Sequence, residues 1–213
     1  MKIFLALLFL LFGPLTFGQI TEGYFQYHID IQAIDTSLKT RQAVGMLIDS
    51  KMEIYFTEHR SRVDFKLGRI NTISAVINYE TNQGLTTNSG SIGKFAIVST
   101  ADEMNTGNST KQDSNTVVEL IDEQKKILGF NCKKAILYAN GTETIYWYTN
   151  EISVDSKGQP MINDHIPGFP LAFSSISDGM KMHFQASNYS FELTDKETIF
   201  STTPPEGYRI LPR

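Results

Sequence analysis

Apolar and polar residues alternate with a period of two along much of this chain. In Tyr24-Phe25-Gln26-Tyr27-His28-Ile29-Asp30-Ile31 the residues Phe25, Tyr27, Ile29 and Ile31 share one face, and Gln26, His28 and Asp30 share the other. That is the pattern of a half-buried strand. Lys51–Phe56 and Arg60–Leu67 repeat it around a Glu58-His59 turn, with Val63, Phe65 and Leu67 opposed to Arg62, Asp64 and Lys66. Further strands are expected over Ile73–Tyr79 and Ser91–Thr100, separated by a Thr81-Asn82-Gln83-Gly84 turn in which Gly84 supplies the positive φ. Asp35–Arg41 reads as a polar turn. Asp102–Asn115, with Met104 its one apolar residue, reads as a mobile surface loop.

In the second half, Val117-Val118-Glu119-Leu120-Ile121 is open to helix or strand. The clustered β-branched residues and the break at Gly129 favour strand. Asn131–Ala139 and Glu143–Tyr148 flank Asn140-Gly141, the preferred two-residue hairpin turn, with Tyr146 and Tyr148 opposite Trp147. Leu171–Ser175 and Met180–Phe184 flank a second such turn at Asp178-Gly179, and Asn188–Thr194 continues the series. No long amphipathic helix, repeat or linker interrupts it. Short strands joined by short turns imply a mainly β fold built as an antiparallel meander.

The first residues have another pattern. Lys2 precedes an unbroken apolar run, Ile3–Phe12, and Thr16-Phe17-Gly18 offers small residues for cleavage before Gln19. This reads as a secretory signal peptide over 1–18 and a single β-rich domain over 19–213. The run is too short for a span of about 20 residues. The expected location is therefore the periplasm or the cell exterior, with no transmembrane segment in the mature chain. No cysteine lies near the cleavage site to take a lipid.

Charge excludes one class of partner. The 213 residues carry a formal net charge of −4 with no basic cluster, which argues against nucleic acid. Loss of Lys2 leaves 18 basic against 23 acidic residues. The single cysteine, Cys132, has no partner for an internal disulfide, and a small buried hydrophobe is favoured over a reactive thiol.

Motifs for chemistry are sparse. There is no nucleophile elbow, phosphate loop or dinucleotide fingerprint, so no cofactor and no catalytic residue is assigned. His28, His59, His165 and His183 are scattered, and Asp164-His165 alone is too little for zinc, so no metal ligand is assigned either. Glu119, Asp122 and Glu123 offer paired carboxylates, but a solvated strand edge accounts for them better. Ser174 and Ser175 have no base nearby in sequence. The aromatic content of 11% and seven methionines leave two readings open: a filled core, or a concave apolar face that takes a hydrophobic ligand.

A family resemblance rests on several segments in order. They are Lys126-Ile127-Leu128-Gly129-Phe130-Asn131-Cys132-Lys133-Lys134-Ala135, then Tyr146-Trp147-Tyr148-Thr149-Asn150-Glu151-Ile152, then Ile166-Pro167-Gly168-Phe169-Pro170-Leu171, Asp178-Gly179, and Phe200 with Pro205-Glu206-Gly207-Tyr208. Together they resemble the GLPGLI-type and domain-of-unknown-function 4412 families of secreted Bacteroidota proteins. Phe169-Pro170-Leu171 departs from the Leu-Pro-Gly-Leu-Ile of the first type and sits nearer the second.

The resemblance implies a LolA/LolB-like fold: one curved antiparallel sheet forming an open half barrel, with few short helices. It implies no catalytic residues. The leading expectation is a non-catalytic envelope protein that holds a hydrophobic or lipidic ligand, or a partner protein's lipidated segment, in the concave face. The alternative is a protein- or glycan-interaction module with a solid core. The prolines of Ile166–Leu171 suggest a stiff corner that interrupts the sheet, and the isomer of the Phe169-Pro170 bond is left open there, with trans the prior and cis the alternative.

Overall fold

The computed structural model describes residues 20–108, 116–139, 141–154, 163 and 165–212. The proposed signal peptide and residues 109–115 of the expected Asp102–Asn115 loop lie outside them, as do Asn140 and Asp164. The first half runs β1 (Gly23–Ala33), α1 (Leu38–Met46), β2 (Lys51–Phe56), β3 (Arg60–Leu67), β4 (Asn71–Asn78), β5 (Gln83–Gly90), β6 (Gly93–Ser99) and α2 (Ala101–Asn108). The second half runs β7 (Val117–Ile127), β8 (Phe130–Ala139), β9 (Thr142–Thr149), β10 (Phe169–Ser177), β11 (Met180–Ser190), α3 (Lys196–Ile199) and β12 (Arg209–Ile210). All the strands form one sheet in the order β12-β6-β5-β4-β3-β2-β1-β11-β10-β9-β8-β7. Every pairing is antiparallel except that of β12 with β6. The mainly β class, the single open sheet and the short helices are as expected from sequence. No described helix is long and apolar enough to cross a membrane.

Local chemistry sets the register. Asp178-Gly179 takes positive φ at both residues (50° and 73°), so Ser177 faces Met180 in a tight hairpin. Leu128-Gly129 does the same between β7 and β8 (53° and 92°). A leucine is strained in that region, and packing against the core offsets the cost. In the β4–β5 turn the positive φ falls on Asn82 (50°), not on the expected Gly84. Gly84 is needed for space instead, because a Cβ there would collide with Met104 of α2.

Ring contacts show how strongly the sheet curls. Phe25 on β1 and Phe130 on β8 are four strand spacings apart along the sheet, about 19 Å if it were flat. Their ring centroids are 6.1 Å apart. Phe56 on β2 and Phe169 on β10, three spacings apart, meet at 5.6 Å. The inner face is therefore folded onto itself. Phe25 touches Phe56, Phe130, Phe169, Tyr189 and Phe191. A second stack joins Tyr146, Phe173 and Phe184 at 5.7 and 4.5 Å, with Tyr27 and Phe65 edge-on. Rings fill the space between β1, β8 and β10 in which a lipidic ligand was one expectation.

Several local expectations give way. Asp35–Arg41 is not a turn throughout, because α1 starts at Leu38 with Ser37 as its cap, accepting from Thr40 N at 3.1 Å. The helix has no apolar stripe, and Thr40 is its one buried residue, so periodicity could not reveal it. Asp102–Asn115 begins as α2 rather than as a loop. Thr100 Oγ1 accepts from Glu103 N at 3.2 Å, and Glu103 Oε2 accepts from Thr100 N at 2.7 Å. This is a capping box. β5 is a strand although Leu85 is its one large apolar residue, since it is paired on both sides. β11 is continuous to Ser190 and absorbs one extra residue in a bulge opposite Gln26/Tyr27.

The corner at Ile166–Leu171 does not interrupt the sheet. Phe169 and Pro170 open β10 opposite Thr149 and Tyr148, and the register shifts between Pro170 and Ala172. Pairing with β11 begins at Ala172, so Pro170 lacks a donor where that ladder has not started. There is no cis peptide bond among the described residues. Next to the bulge the Pro170 carbonyl accepts a 2.7 Å hydrogen bond from the hydroxyl of Tyr27, which is fully buried.

The outer face of β2–β6 is covered by the chain after β11. Phe200 joins Val76, Leu85 and Ala96, with Tyr55, Leu193, Ile199 and Tyr208 around them. Arg62 Nη1 donates to the Ile199 carbonyl at 3.0 Å, and β12 then extends the sheet beside β6.

Tyr27→Phe leaves the ring in place and the Pro170 carbonyl unpaired in the core. The expected loss is about 1–3 kcal/mol of unfolding free energy, measured by urea denaturation with an unchanged m-value.

Candidate functional site

With the inner face filled, exposed chemistry lies on the outer face, and the strand register places it. Where β10, β11 and β1 run side by side, Ser174 faces His183 and His183 faces Asp30. Ser174 Oγ is 3.2 Å from His183 Nδ1. The next row holds Ala172, Gln185, His28 and Lys51. Beyond it lie Asn188, Gln26 and Glu53. His28, Asp30, Gln185 and Asn188 are exposed, and Ser174, His183 and Gln26 are half-buried. The face is a grid of flat, hydrogen-bonding side chains.

Toward β3 the grid closes into a charged network. Glu53 and Asp64 face each other directly on β2 and β3, and both are buried. Two like charges opposite one another repel. Here Lys66 Nζ lies 2.7 Å from Glu53 Oε2, and Arg62 Nε donates to both Asp64 oxygens at 2.9 and 3.1 Å. The Tyr24 hydroxyl and Gln26 Nε2 lie at 3.5 Å from Glu53 Oε1. Tyr24 and Tyr55 pack at 4.7 Å beside it. Burial, and then the charge of Glu53, push the Tyr55 phenol up to about 12 and the Tyr24 phenol higher still.

The residues singled out from sequence are dispersed. Ser174 gains the base it lacked in sequence, His183, and Asp30 completes the row. Ser174 nevertheless sits within a strand, where backbone N–H groups point along the sheet plane to neighbouring strands rather than out of its face. That geometry aims no backbone oxyanion donor above Ser174. Ser175, one position on, faces Met182. Glu119, Asp122 and Glu123 lie on the edge strand β7. There Glu119 accepts from Tyr138 OH at 3.4 Å and Glu123 pairs with Lys134 at 2.9 Å. Asp122 and Glu123 fall in the bulge between Ile121 and Gln124.

His165 is exposed beside the entry to β10, and His59 is exposed in the β2–β3 turn. No three His, Cys, Asp or Glu side chains among the described residues are grouped to hold a metal. Cys132 is fully buried near Tyr27, and burial lifts its thiol to about 11. Trp147, on the outer side of β9, lies under Lys125 Nζ at 4.2 Å and Lys134 Nζ at 5.9 Å.

The class is thus a curled, aromatic-filled β-sheet domain with a polar outer face. The family model described as "N-glycanase peptide, N-terminal domain" matches residues 39–165. The chain belongs to that family. Two structures of PNGF-II resemble it. The one in the C2 space group has 16% identity and a TM-score of 0.46, covering 89% of this chain and 30% of that one. The one in P21 has 14% identity and a TM-score of 0.49, covering 90% and 31%. The chain therefore spans about a third of the length of those structures. A LolA superfamily protein from Nitrosomonas europaea matches at 12% identity and a TM-score of 0.23, covering 85% of this chain and 90% of that one. No curated protein matches the chain.

Two measurements check this chemistry. Below the Cys132 pKa of about 11 the folded chain holds a buried neutral thiol. Ellman's reagent at pH 8 should therefore react no faster than the chain unfolds, and at once in denaturant. The tyrosines supply the second. A phenol raised in the folded state contributes stability that is complete below its unfolded value of 10.0 and is lost as pH climbs toward about 12. Thermal melts should show the midpoint falling through that window, and Tyr55→Phe should flatten the fall.

Proposed function

We propose that this chain is a non-catalytic recognition module that binds glycan, or the glycan-bearing region of a protein, on the outer face of β10, β11, β1 and β2. The observation that carries the reading is the division of the sheet. Its inner face is occupied by aromatic rings, while its outer face offers Gln26, His28, Asp30, His183, Gln185 and Asn188 in a regular grid. Flat amide, imidazole and carboxylate groups at strand spacing suit the paired hydroxyls of a sugar ring, each acting as donor or acceptor. Membership of an N-glycanase N-terminal-domain family supports the same reading. Whether this chain serves a glycan-processing activity is part of the proposal.

Catalysis by Ser174 is not part of it, because the strand backbone around the serine aims no N–H out of the face on which its hydroxyl lies. The filled inner face weighs against a lipid held inside. Kinship with the GLPGLI and domain-of-unknown-function 4412 proteins belongs to the proposal too. It rests on the ordered segments from Lys126 to Tyr208 and is compatible with secretion to the periplasm or the exterior.

The test is calorimetric titration of the purified chain with released N-glycans and with a glycopeptide. The expected result is saturable binding that the pair His183→Ala and Gln185→Ala weakens by about tenfold or more, with the melting temperature unchanged. Absence of binding to either ligand, together with uptake of a fluorescent fatty acid, would return the protein to the lipid-carrier reading.

A further inference from the structure

The two ends of the sheet differ. Strand directions place the β1–α1–β2 connection and the β3–β4, β5–β6 and β10–β11 turns at one end. Those four connections carry Ile34 (54% exposed), Leu38 (71%), Met46 (55%), Ile48 (63%), Ile70 (42%) and Ile92 (79%). Single exposed apolar residues need no explanation, but a run of large ones along adjacent turns does.

The turns are lashed together. Ile34 N donates to the Gly179 carbonyl at 2.8 Å, Gly68 N to Ser50 Oγ at 2.9 Å, and Ser91 N to the Ile70 carbonyl at 3.3 Å. A Cβ on Gly68 would strike the Met46 carbonyl, and one on Gly179 would strike the Asp35 carboxylate. The apolar side chains therefore stand on a rigid rim.

Charge at this rim runs against that of the whole chain. The formal net charge is −4. The four connections (34–51, 68–71, 91–94 and 178–181) hold Lys39, Arg41, Lys51, Arg69, Lys94 and Lys181 against Asp35, Asp49 and Asp178. Asp35 is already engaged in the α1 cap, accepting from Ser37 N at 2.8 Å and Thr40 Oγ1 at 2.9 Å. Large exposed aliphatics interleaved with basic residues fit the boundary of an anionic bilayer. The apolar tips enter the acyl region while the lysine and arginine heads meet lipid phosphates.

We infer that this end of the sheet is a peripheral membrane-docking rim that seats on an anionic lipid surface through Leu38, Met46, Ile48, Ile70 and Ile92. No described helix is long and apolar enough to contribute a span. The inference stands apart from the glycan reading, since the rim and the outer-face grid share only Lys51, which neither set of test variants touches.

The test is co-sedimentation of the purified chain with vesicles of equal phosphatidylcholine and phosphatidylglycerol, beside vesicles of phosphatidylcholine alone. The expected result is binding to the anionic vesicles, weakened by salt and much lower on the neutral ones. The pair Ile48→Ser and Ile92→Ser should reduce the partition coefficient by more than about tenfold. The pair Lys39→Gln and Arg69→Gln should do likewise. All four side chains are exposed, so circular dichroism and the melting temperature should not move. No binding to anionic vesicles, equal binding to neutral ones, or binding indifferent to both variants overturns the inference. So does a stable dimer in light scattering that the isoleucine variant dissolves, which would show the rim covered by a second copy.

Discussion

The contact of Phe25 with Phe130 and Phe169 is the constraint on which the rest of this structure depends. It joins strands that lie far apart in the sheet, so it exists only if the sheet curls. Curling on this scale needs local departures from a flat ladder. Bulges provide them at Leu171 and Ser187 and at Asp122-Glu123. A bulge turns backbone groups out of register, and the one next to Pro170 leaves a carbonyl directed at the core. Tyr27 answers it with its hydroxyl. The apolar closure and this buried hydrogen bond are thus parts of one arrangement.

Closure by rings has a consequence for function. The side chains that would line a ligand cavity in an open half barrel are here spent on one another. Tyr146, Phe173 and Phe184 stack nearly parallel, with interplanar angles of 15° and 7°. In the proposed reading recognition falls to the outer face, and the C-terminal segment divides that face in two. Over β2–β6 it is sealed by Phe200, Leu193 and Tyr208. Over β10, β11 and β1 it is left to solvent. The buried Glu53–Asp64 pair marks the seam, where charges must be matched by Lys66 and Arg62 because water is partly excluded.

Much of the fold was legible because burial on one face imposes a period of two, which β1, β2 and β3 carry plainly, while β9 and β10 were bracketed by the turns at Gly141 and Asp178-Gly179. β5 was not, since Gly84, Thr86, Thr87, Asn88 and Ser89 are held by neighbours on both sides rather than by a core of their own. α1 was hidden by its missing apolar stripe. α2 was legible in principle: Thr100 and Glu103 have capping-box spacing, which the polar composition of the stretch obscured. The prolines of the corner were read as interrupting the sheet, whereas Pro170 opens β10, because the side on which it lacks a donor faces a ladder with β11 that begins only at Ala172. The row Ser174–His183–Asp30 could not be read at all. It depends on the register between β1 and β11, about 150 residues apart, and on a bulge that no local pattern announces.

The rim and the grid occupy different places along the same strands, and their separation follows from strand geometry. His183 is three residues beyond Met180, so it stands about 10 Å above the turns, and Asn188 stands about 26 Å above them. A sheet seated on Leu38, Ile48, Ile70 and Ile92 would hold its strands upright on the bilayer, with the outer face turned sideways. In that pose the grid lies within reach of a chain or glycan standing on the same surface, while α3 and the far ends of the strands point away. The rigid lashings among the turns matter for this reason. Seated on independently moving loops, the domain would be tethered without being oriented. Seated on turns bonded through Gly179, Gly68 and Ile70, it would be held at one attitude.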